Sequence, residues 1–422
     1  MKILISTVGS HGDILPFIAL ANEFIKKGHT VVFYANPFFK SLISNDEIKF
    51  VEIGTIKEYK KMFSSSNNID STKSFKLVAS EFMRLCPIFY DAMKKDILEN
   101  NTIIISSSLL FAGRLLEETH NFPCVTIHLS PCVFRSNINP ARLVPNWIES
   151  KTPLFIKNIS WWLLDKFFYE PNFTKPLNKI RKELGLNSVN RIFKSWIHEG
   201  SLVIGLFPEW FAKPQSDWDK KIILADFPLY DNCKNNIFSK DILDFLESDI
   251  PIIGFSAGTA TATAQDFFKV SIEACEKLGV KAVLLTHFSE QIPINLPKNI
   301  IYVNYAPFSE LLPKLSLFVH HGGIGSTSQT LKAGIPQIIR PVAFDQFDNS
   351  IRAVNLGVAK EILAKDYNIK NVSNVINEML NDEAYKNNAK LISKNFESND
   401  SLSEICDLIL EKFENIKKNK KK

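Results

Sequence analysis

The sequence contains no run of about eighteen apolar residues, so no segment reads as a membrane-spanning helix. Its six cysteines (86, 124, 132, 233, 275 and 406) show no C-x-x-C spacing. The apolar settings of Cys124 and Cys275 point to reduced core thiols and a reducing compartment. A large excess of charge of one sign is absent: 50 Lys and Arg against 45 Asp and Glu leave a net charge of only +5. Part of that excess lies in the last residues, KKNKKK (417–422), and the body of the chain shows no concentrated basic face, which argues against nucleic acid as a partner. The tail reads as a solvated terminus, with a weak contact to anionic lipid as the sharper alternative. Residues 1–8, MKILISTV, are too short an apolar run for a signal peptide and read as a strand. The expectation is a cytoplasmic protein, at most peripheral at the inner face of the membrane.

What is present is a repeated alternation of short apolar runs and amphipathic segments. The 422 residues, 45% apolar, suffice for two ordinary domains. KILIST leads through a loop with Gly9 and Gly12 into a helix carrying Phe17, Leu20, Ala21 and Phe24 on one face, then into the strand TVVFYA. Further strands are expected at 102–106, 124–130 and 201–206, with an irregular stretch rich in aromatics and proline, 131–184, before the last of them. A second series begins with PIIGFSAG (251–258) and continues through KAVLL, IIYV, SLFVH, PQIIR and VAKEI. Alternation of this kind predicts an α/β protein with parallel sheets covered on both faces. The polar segment 229–250 separates the series. The expected division is 1–230, 231–395, and a C-terminal helix with the Lys-rich tail, 396–422, packing back on the first domain. Two such domains would face each other across a cleft.

One stretch concentrates the chemistry: HHGGIGSTSQTLKAG, residues 320–334. It follows a buried strand and opens a helix that Gly334 stops, a setting where backbone N–H groups and the helix dipole gather around an anion. Three chemistries compete for it. A dinucleotide-dependent oxidoreductase needs G-x-G-x-x-G; the first loop supplies only G-x-x-G, and here Ser328 replaces the third glycine. A serine hydrolase would use Ser256 in GFSAG, with His320 or His321 and an acid such as Asp266, Glu290 or Glu310. Transfer from a nucleotide diphosphate uses the turn to stabilise a leaving pyrophosphate. The single D-x-D, Asp217 and Asp219, precedes a strand and reads as a polar loop.

The segment FVHHGGIGSTSQTLKAGIPQIIRPVAFDQFDN, together with GSHGDILPFIALANEFIKKGHTV near the start, resembles the inverting nucleotide-sugar glycosyltransferases of the GT-B fold. The variants look closest to the bacterial rhamnosyltransferase-like branch, beside the antibiotic and sterol glycosyltransferases. The resemblance implies two Rossmann-like domains and transfer of a hexose or deoxyhexose from a UDP- or dTDP-sugar. The acceptor would be a largely hydrophobic hydroxylated molecule, with no metal and no cofactor beyond the donor. By the same resemblance His321 donates to the diphosphate, and Gly323, Gly325 and Ser326 form the cradle. Gln329 holds the ribose, Asp345 and Gln346 read sugar hydroxyls, and Tyr305 with Ala306 receives the base. Ser256, Gly258 and Thr259 form a second phosphate-side loop. The base that takes the acceptor proton is Asp13, with His11 as its rival in the same loop; plant relatives place a histidine where Asp13 stands.

Three residues are assigned to the acceptor: His128 at the end of a strand, and Trp161 and Trp162 in the aromatic stretch. For each of them, structural packing is the plainer alternative. His320 is expected to be structural. A protein that binds the nucleotide sugar without catalysis remains the alternative from another class; Asp13 argues against it.

Overall fold

Strands buried on both faces need apolar residues at every position, and the first strand, KILIS, has nearly that pattern. The computed structural model describes residues 1–66, 71–98, 101–231, 238–259, 261, 263–396 and 400–420. It divides into two units. The first comprises residues 1–141, 146–230 and 400–422; the second comprises 142–145 and 231–399.

The first unit holds a seven-stranded parallel sheet. Its strands are β1 (Lys2–Ser6), β2 (Thr30–Ala35), β3 (Lys49–Glu52), β4 (Thr102–Ser107), β5 (Cys124–His128), β6 (Leu202–Leu206) and β7 (Ile222–Ala225), in the order β3-β2-β1-β4-β5-β6-β7. Ile3 and Ile5 point to one face, against Phe17, Leu20 and Phe24 of α1 (His11–Lys26) and against Ile405, Ile409 and Phe413 of the C-terminal helix (Ser401–Lys420). Leu4, between them, points the other way. It joins residues of α3 (Ser71–Lys94) and α4 (Ala112–His120) in covering the opposite face, among them Met83, Phe89 and Leu115, while Tyr59 of α2 (Ile56–Ser66) packs against the first core. The period-2 alternation of a strand thus feeds two cores. Lys27 fixes the C-terminal helix to α1, donating to Ser403 and to Asp407, each at 2.7 Å.

The stretch expected to be irregular is largely helical. It contains α5 (Leu154–Leu164), a π-helix (Asp165–Thr174) and α6 (Lys175–Glu183), which run on without a break. Pro171 lies inside the π-helix, where it removes a donor from the ladder.

The second unit repeats the plan with six parallel strands: β8 (Ile252–Ser256), β9 (Lys281–Leu285), β10 (Ile300–Val303), β11 (Leu317–His320), β12 (Gln337–Ile339) and β13 (Ala359–Glu361), in the order β10-β9-β8-β11-β12-β13. Its helices are α7 (Lys240–Leu246), α8 (Gln265–Leu278), α9 (Phe308–Leu311), α10 (Ile324–Ala333), α11 (Gln346–Asn355), α12 (Ile369–Asn381) and α13 (Glu383–Ser393). Phe255, Val319 and Ile338 pack with Phe268 of α8 and Ile376 of α12. Cys86, Cys124, Cys275 and Cys406 are buried free thiols. Cys233 lies outside the described residues. No described helix is long and apolar enough to cross a membrane.

Candidate functional site

Where the strand order of a parallel sheet reverses, the loops leaving two neighbouring strands diverge to opposite faces and leave a crevice at their carboxyl ends. In the second unit that point lies between β8 and β11, and their register sets Ser256 beside His320. The loops that follow are 257–259 and 321–323, so the topology singles out the two glycine-rich turns of the sequence.

His320 is fully buried. Its Nδ1 accepts the Gly322 N–H at 3.0 Å, so Nε2 carries the proton and donates to Gln337 Oε1 at 2.8 Å. Burial pushes its pKa down to about 3, which makes it a neutral tie between β11 and β12. The adjacent His321 is held differently. A Cβ added to Gly258 would lie 2.8 Å from its Cε1, and one added to Gly323 would lie 2.6 Å from its Nε2. The ring sits between two glycines, and neither tolerates a side chain without displacing it. Burial pushes His321 down to about 4, so at neutral pH the ring is uncharged and carries one N–H. Its Nδ1 is buried without a partner. Leaving such a nitrogen unpaired costs about 1–3 kcal/mol, a cost that a ligand atom would relieve.

α10 begins beside that ring. Its N-cap is Gly323, and no side chain caps the turn. The first N–H groups therefore have no acceptor within the helix, and the dipole adds partial positive charge. A Cβ on Gly325 would meet nothing within 4 Å, so open space stands over this first turn. Ser326 is partly exposed in the same turn, and Gln329, nearly buried, follows on the next.

Asp345 and Gln346 stand at the start of α11. Asn349 Nδ2 donates to Gly322 O at 2.9 Å and to Asp345 Oδ2 at 2.7 Å, which ties Asp345 to the glycine turn. Gln346 Oε1 accepts the Val342 and Ala343 N–H groups at 2.8 and 3.0 Å. Its carbonyl is thus committed to the loop, and its amide N–H groups are what it can offer a ligand. Tyr305 is 43% exposed, with Ala306 buried next to it. The Tyr305 ring lies nearly parallel to His287, 6.0 Å away, and together they form a flat aromatic platform. Sequence reasoning passed over His287, although it stands two residues past the end of β9. Thr259 is exposed, and Ser256 Oγ accepts the Gly258 N–H at 3.4 Å. With His320 tied to Gln337 and His321 Nδ1 unpartnered, no serine–histidine–acid chain forms among the described residues.

In the first unit the order reverses between β1 and β4. Asp13 stands in the first turn of α1, after the loop that leaves β1. Its Oδ2 accepts from Ser10 N at 2.7 Å and from Ser10 Oγ at 3.1 Å, closing a capping box. Among the described residues Oδ1 accepts no hydrogen bond. Gly9 (φ +134°) comes so close that a Cβ there would sit 2.3 Å from Asp13 Oδ2. Burial raises the Asp13 pKa, against the lowering by the two Ser10 bonds. A carboxylate held in this way is a stronger base than an ordinary one. Burial, and after it the Asp13 charge, raises the pKa of Tyr59, a neighbour of Asp13 that the sequence did not reveal. His11 packs edge-on against Phe38 and Phe39, with centroids 5.8 and 5.3 Å away. Beneath Gly9 an apolar crevice of about 20 Å³ is lined by Val8, Phe39, Tyr59, Phe82 and Phe89.

Burial separates the three acceptor candidates: it speaks against His128 and Trp161 and leaves Trp162 accessible. His128 is fully buried; its Nδ1 bonds Ser108 Oγ at 2.7 Å and its Nε2 bonds His198 Nδ1 at 3.2 Å, so it has no face to offer a substrate. Trp161 is buried between Arg135 and Trp147. Trp162 is exposed, with Lys166 across its ring. Asp217 and Asp219 accept backbone N–H groups of Asn137 and Lys221 and serve as loop ties. Among the described residues no group of three or more His, Cys, Asp or Glu side chains is arranged to hold a metal ion.

Two family models match the chain: "Glycosyltransferase family 28 N-terminal domain" over residues 3–130 and "Erythromycin biosynthesis protein CIII-like, C-terminal domain" over residues 280–411. A sterol 3-beta-glucosyltransferase of Saccharomyces cerevisiae (strain YJM789) is 24% identical over 428 residues, covering 97% of this chain and 35% of that protein. The chain thus spans about a third of that relative's length. An uncharacterized UDP-glucosyltransferase of Bacillus subtilis (strain 168) is 22% identical and is covered over 94% of its own length and 95% of this chain. The crystal structure of the glycotransferase of kitacinnamycin superposes with a TM-score of 0.73 at 16% identity, covering 98% of this chain and 99% of that one.

Proposed function

From the chain's place among the GT-B glycosyltransferases, we propose that it transfers a hexose or deoxyhexose from a UDP- or dTDP-sugar to a hydroxyl of a largely hydrophobic acceptor, with inversion at the anomeric carbon. The observation that carries this reading is the unpartnered, uncharged His321 ring beside the uncapped start of α10, with open space over Gly325. A pyrophosphate leaving group gains negative charge as its bond to the sugar breaks. Donors fixed in advance stabilise that charge without reorganising. The His321 N–H, the first N–H groups of α10 and the Ser326 hydroxyl are such donors. Asp345, tethered through Asn349, takes sugar hydroxyls, and the Tyr305–His287 platform takes the pyrimidine face.

The first unit supplies the base. An acceptor hydroxyl attacks only when its proton is accepted during the attack. Asp13 keeps Oδ2 on its cap and presents Oδ1 to that proton. As the hydroxyl oxygen bonds to the anomeric carbon, the bond to the diphosphate breaks and the proton passes to Asp13. An acceptor with apolar surface is in keeping with the sterol named for the yeast relative. His11 shapes the loop through its packing on Phe38 and Phe39.

Mass spectrometry of products from UDP-glucose and dTDP-rhamnose, offered with sterols, acyl alcohols and polyketide-like phenols, tests the reading. The anomeric coupling constant in the product NMR spectrum reports inversion or retention. Tight UDP binding without product from any pair would favour a binder that does not catalyse.

A further inference from the structure

α5 and the π-helix are turned the wrong way round for a soluble surface. Lys157 points inward, where its Nζ donates to Asn137 O at 2.6 Å and to Ser150 O at 2.7 Å. Asp165 also points inward and takes the Arg135 guanidinium. Outward, at helical spacing, stand Phe155 (65% exposed), Ile159 (52%), Trp162 (47%) and Phe167 (58%). The inward polar groups are satisfied, so rotating the helix to hide this stripe would break an ion pair and two hydrogen bonds. Contiguous exposed apolar surface of this kind marks a docking face.

The charges around the stripe identify its occupant. From residue 149 to 183 the exposed charged side chains are Lys151, Lys166, Lys175, Lys179 and Lys182 against Glu149 and Glu183 at the two ends; the acid Glu170 is only partly exposed, and Asp165 is buried and paired. Lys166 Nζ lies 4.6 Å from the centroid of Trp162 and 5.7 Å from that of Phe167, at the stripe itself. Phenylalanine and isoleucine flanked by tryptophan and lysine suit the boundary between acyl chains and anionic headgroups, where indole and ammonium groups sit at headgroup level and apolar rings sit below. We propose that the outward face of α5 and the π-helix docks in the plane of an anionic phospholipid bilayer. The proposal is independent of the transfer reaction and of the Lys-rich tail.

Vesicle flotation tests it, with the full chain and phosphatidylcholine vesicles prepared with or without phosphatidylglycerol. The wild type floats with the anionic vesicles and binds neutral ones at least about tenfold more weakly, because each lysine near an anionic surface contributes about fivefold in affinity and two at the surface already exceed that ratio. Phe155→Glu/Phe167→Glu lowers binding by at least about tenfold. Its melting temperature stays at the wild-type value, since both rings are more than half exposed. Lys166→Glu weakens binding to anionic vesicles only. Removing residues 417–422 changes flotation by no more than about twofold. Absence of flotation by the wild type overturns the proposal, as does equal flotation by the double variant or loss of flotation on removing the tail. Sedimentation equilibrium supplies the competing outcome: a dimer that the double variant dissociates, without vesicle binding, would assign the stripe to a second copy of the chain.

Discussion

Gly325→Ala separates stability from function. The residue lies in the first turn of α10, and an added Cβ meets nothing within 4 Å. Alanine narrows the unfolded ensemble and suits a helix better, so the unliganded protein gains about 0.5–1 kcal/mol. That corresponds to roughly 1–3 °C in melting temperature. The same methyl group intrudes on the space assigned to the diphosphate. Overpacking of a filled site costs about 1–3 kcal/mol, so affinity for UDP or dTDP falls roughly 5- to 150-fold. Calorimetry with both nucleotides and a thermal melt of the apo protein give the two numbers. Gly323→Ala is the control. Its Cβ would lie 2.6 Å from His321 Nε2, so it should lose both stability and affinity. Undiminished binding of both nucleotides by Gly325→Ala would refute the placement of the diphosphate on this turn. A lowered melting temperature would show that the space is not open.

His321→Ala removes both a donor to the diphosphate and an unpaired buried nitrogen. Nucleotide affinity and turnover should fall by about 2–4 kcal/mol equivalent, with a smaller change in apo stability; unaltered affinity and turnover would count against the assignment. Asp13→Asn keeps the Ser10 cap while weakening the base, so the fold and UDP affinity persist and kcat drops roughly 10²–10⁴-fold; near-normal turnover combined with an inactive His11→Ala would move the base to His11. Gly9→Ala should lose activity as well, because its Cβ would meet Asp13 Oδ2 at 2.3 Å. Acid should also destabilise the protein. His198, His320 and His321 are held at about 4, 3 and 4, and His128 well below its ordinary value, all by burial, whereas in the unfolded chain they protonate near 6.5. Between pH 6.5 and 4 the unfolded state therefore binds more protons, and stability falls with pH at up to about 1.4 kcal/mol per unit per ring. Melting temperatures at pH 7, 6 and 5 measure this slope, which His321→Ala should make shallower; a flat profile would contradict the burial of these rings.

The long apolar strands were legible because parallel strands covered on both faces carry continuous apolar runs, as in TIIIS and SLVIGL. The edge strand β3 has four residues and is only partly buried, so KFVE had no such run to announce it, whereas IILA of β7 was visible as the strand after Asp219. The segment 131–184 hid its helices for a different reason. α5 and the π-helix after it are apolar on their outward face and hold Lys157 and Asp165 inward, which is the reverse of the pattern that marks an amphipathic helix. In the site, the glycine turns were visible because close approach of backbone and imidazole demands glycine at 258 and 323. The platform residue His287 was not visible, since it stands in a loop that carries no such demand. His128 drew a functional reading from its place at a strand end. Only the three-dimensional packing shows that Ser108 and His198 satisfy both of its nitrogens.

The C-terminal helix has a consequence for biosynthesis. Ile405, Ile409 and Phe413 complete the core that Phe17, Leu20 and Phe24 begin, yet almost the whole second unit lies between them in the chain. On the ribosome the second unit emerges as a nearly continuous stretch and can close while the first still lacks a wall. The nascent first unit must keep the outer side of α1 uncovered until residues 401–420 appear. That interval, rather than the finished protein, is where a holdase chaperone would find its substrate. A chain cut short before residue 400 would prolong the interval indefinitely.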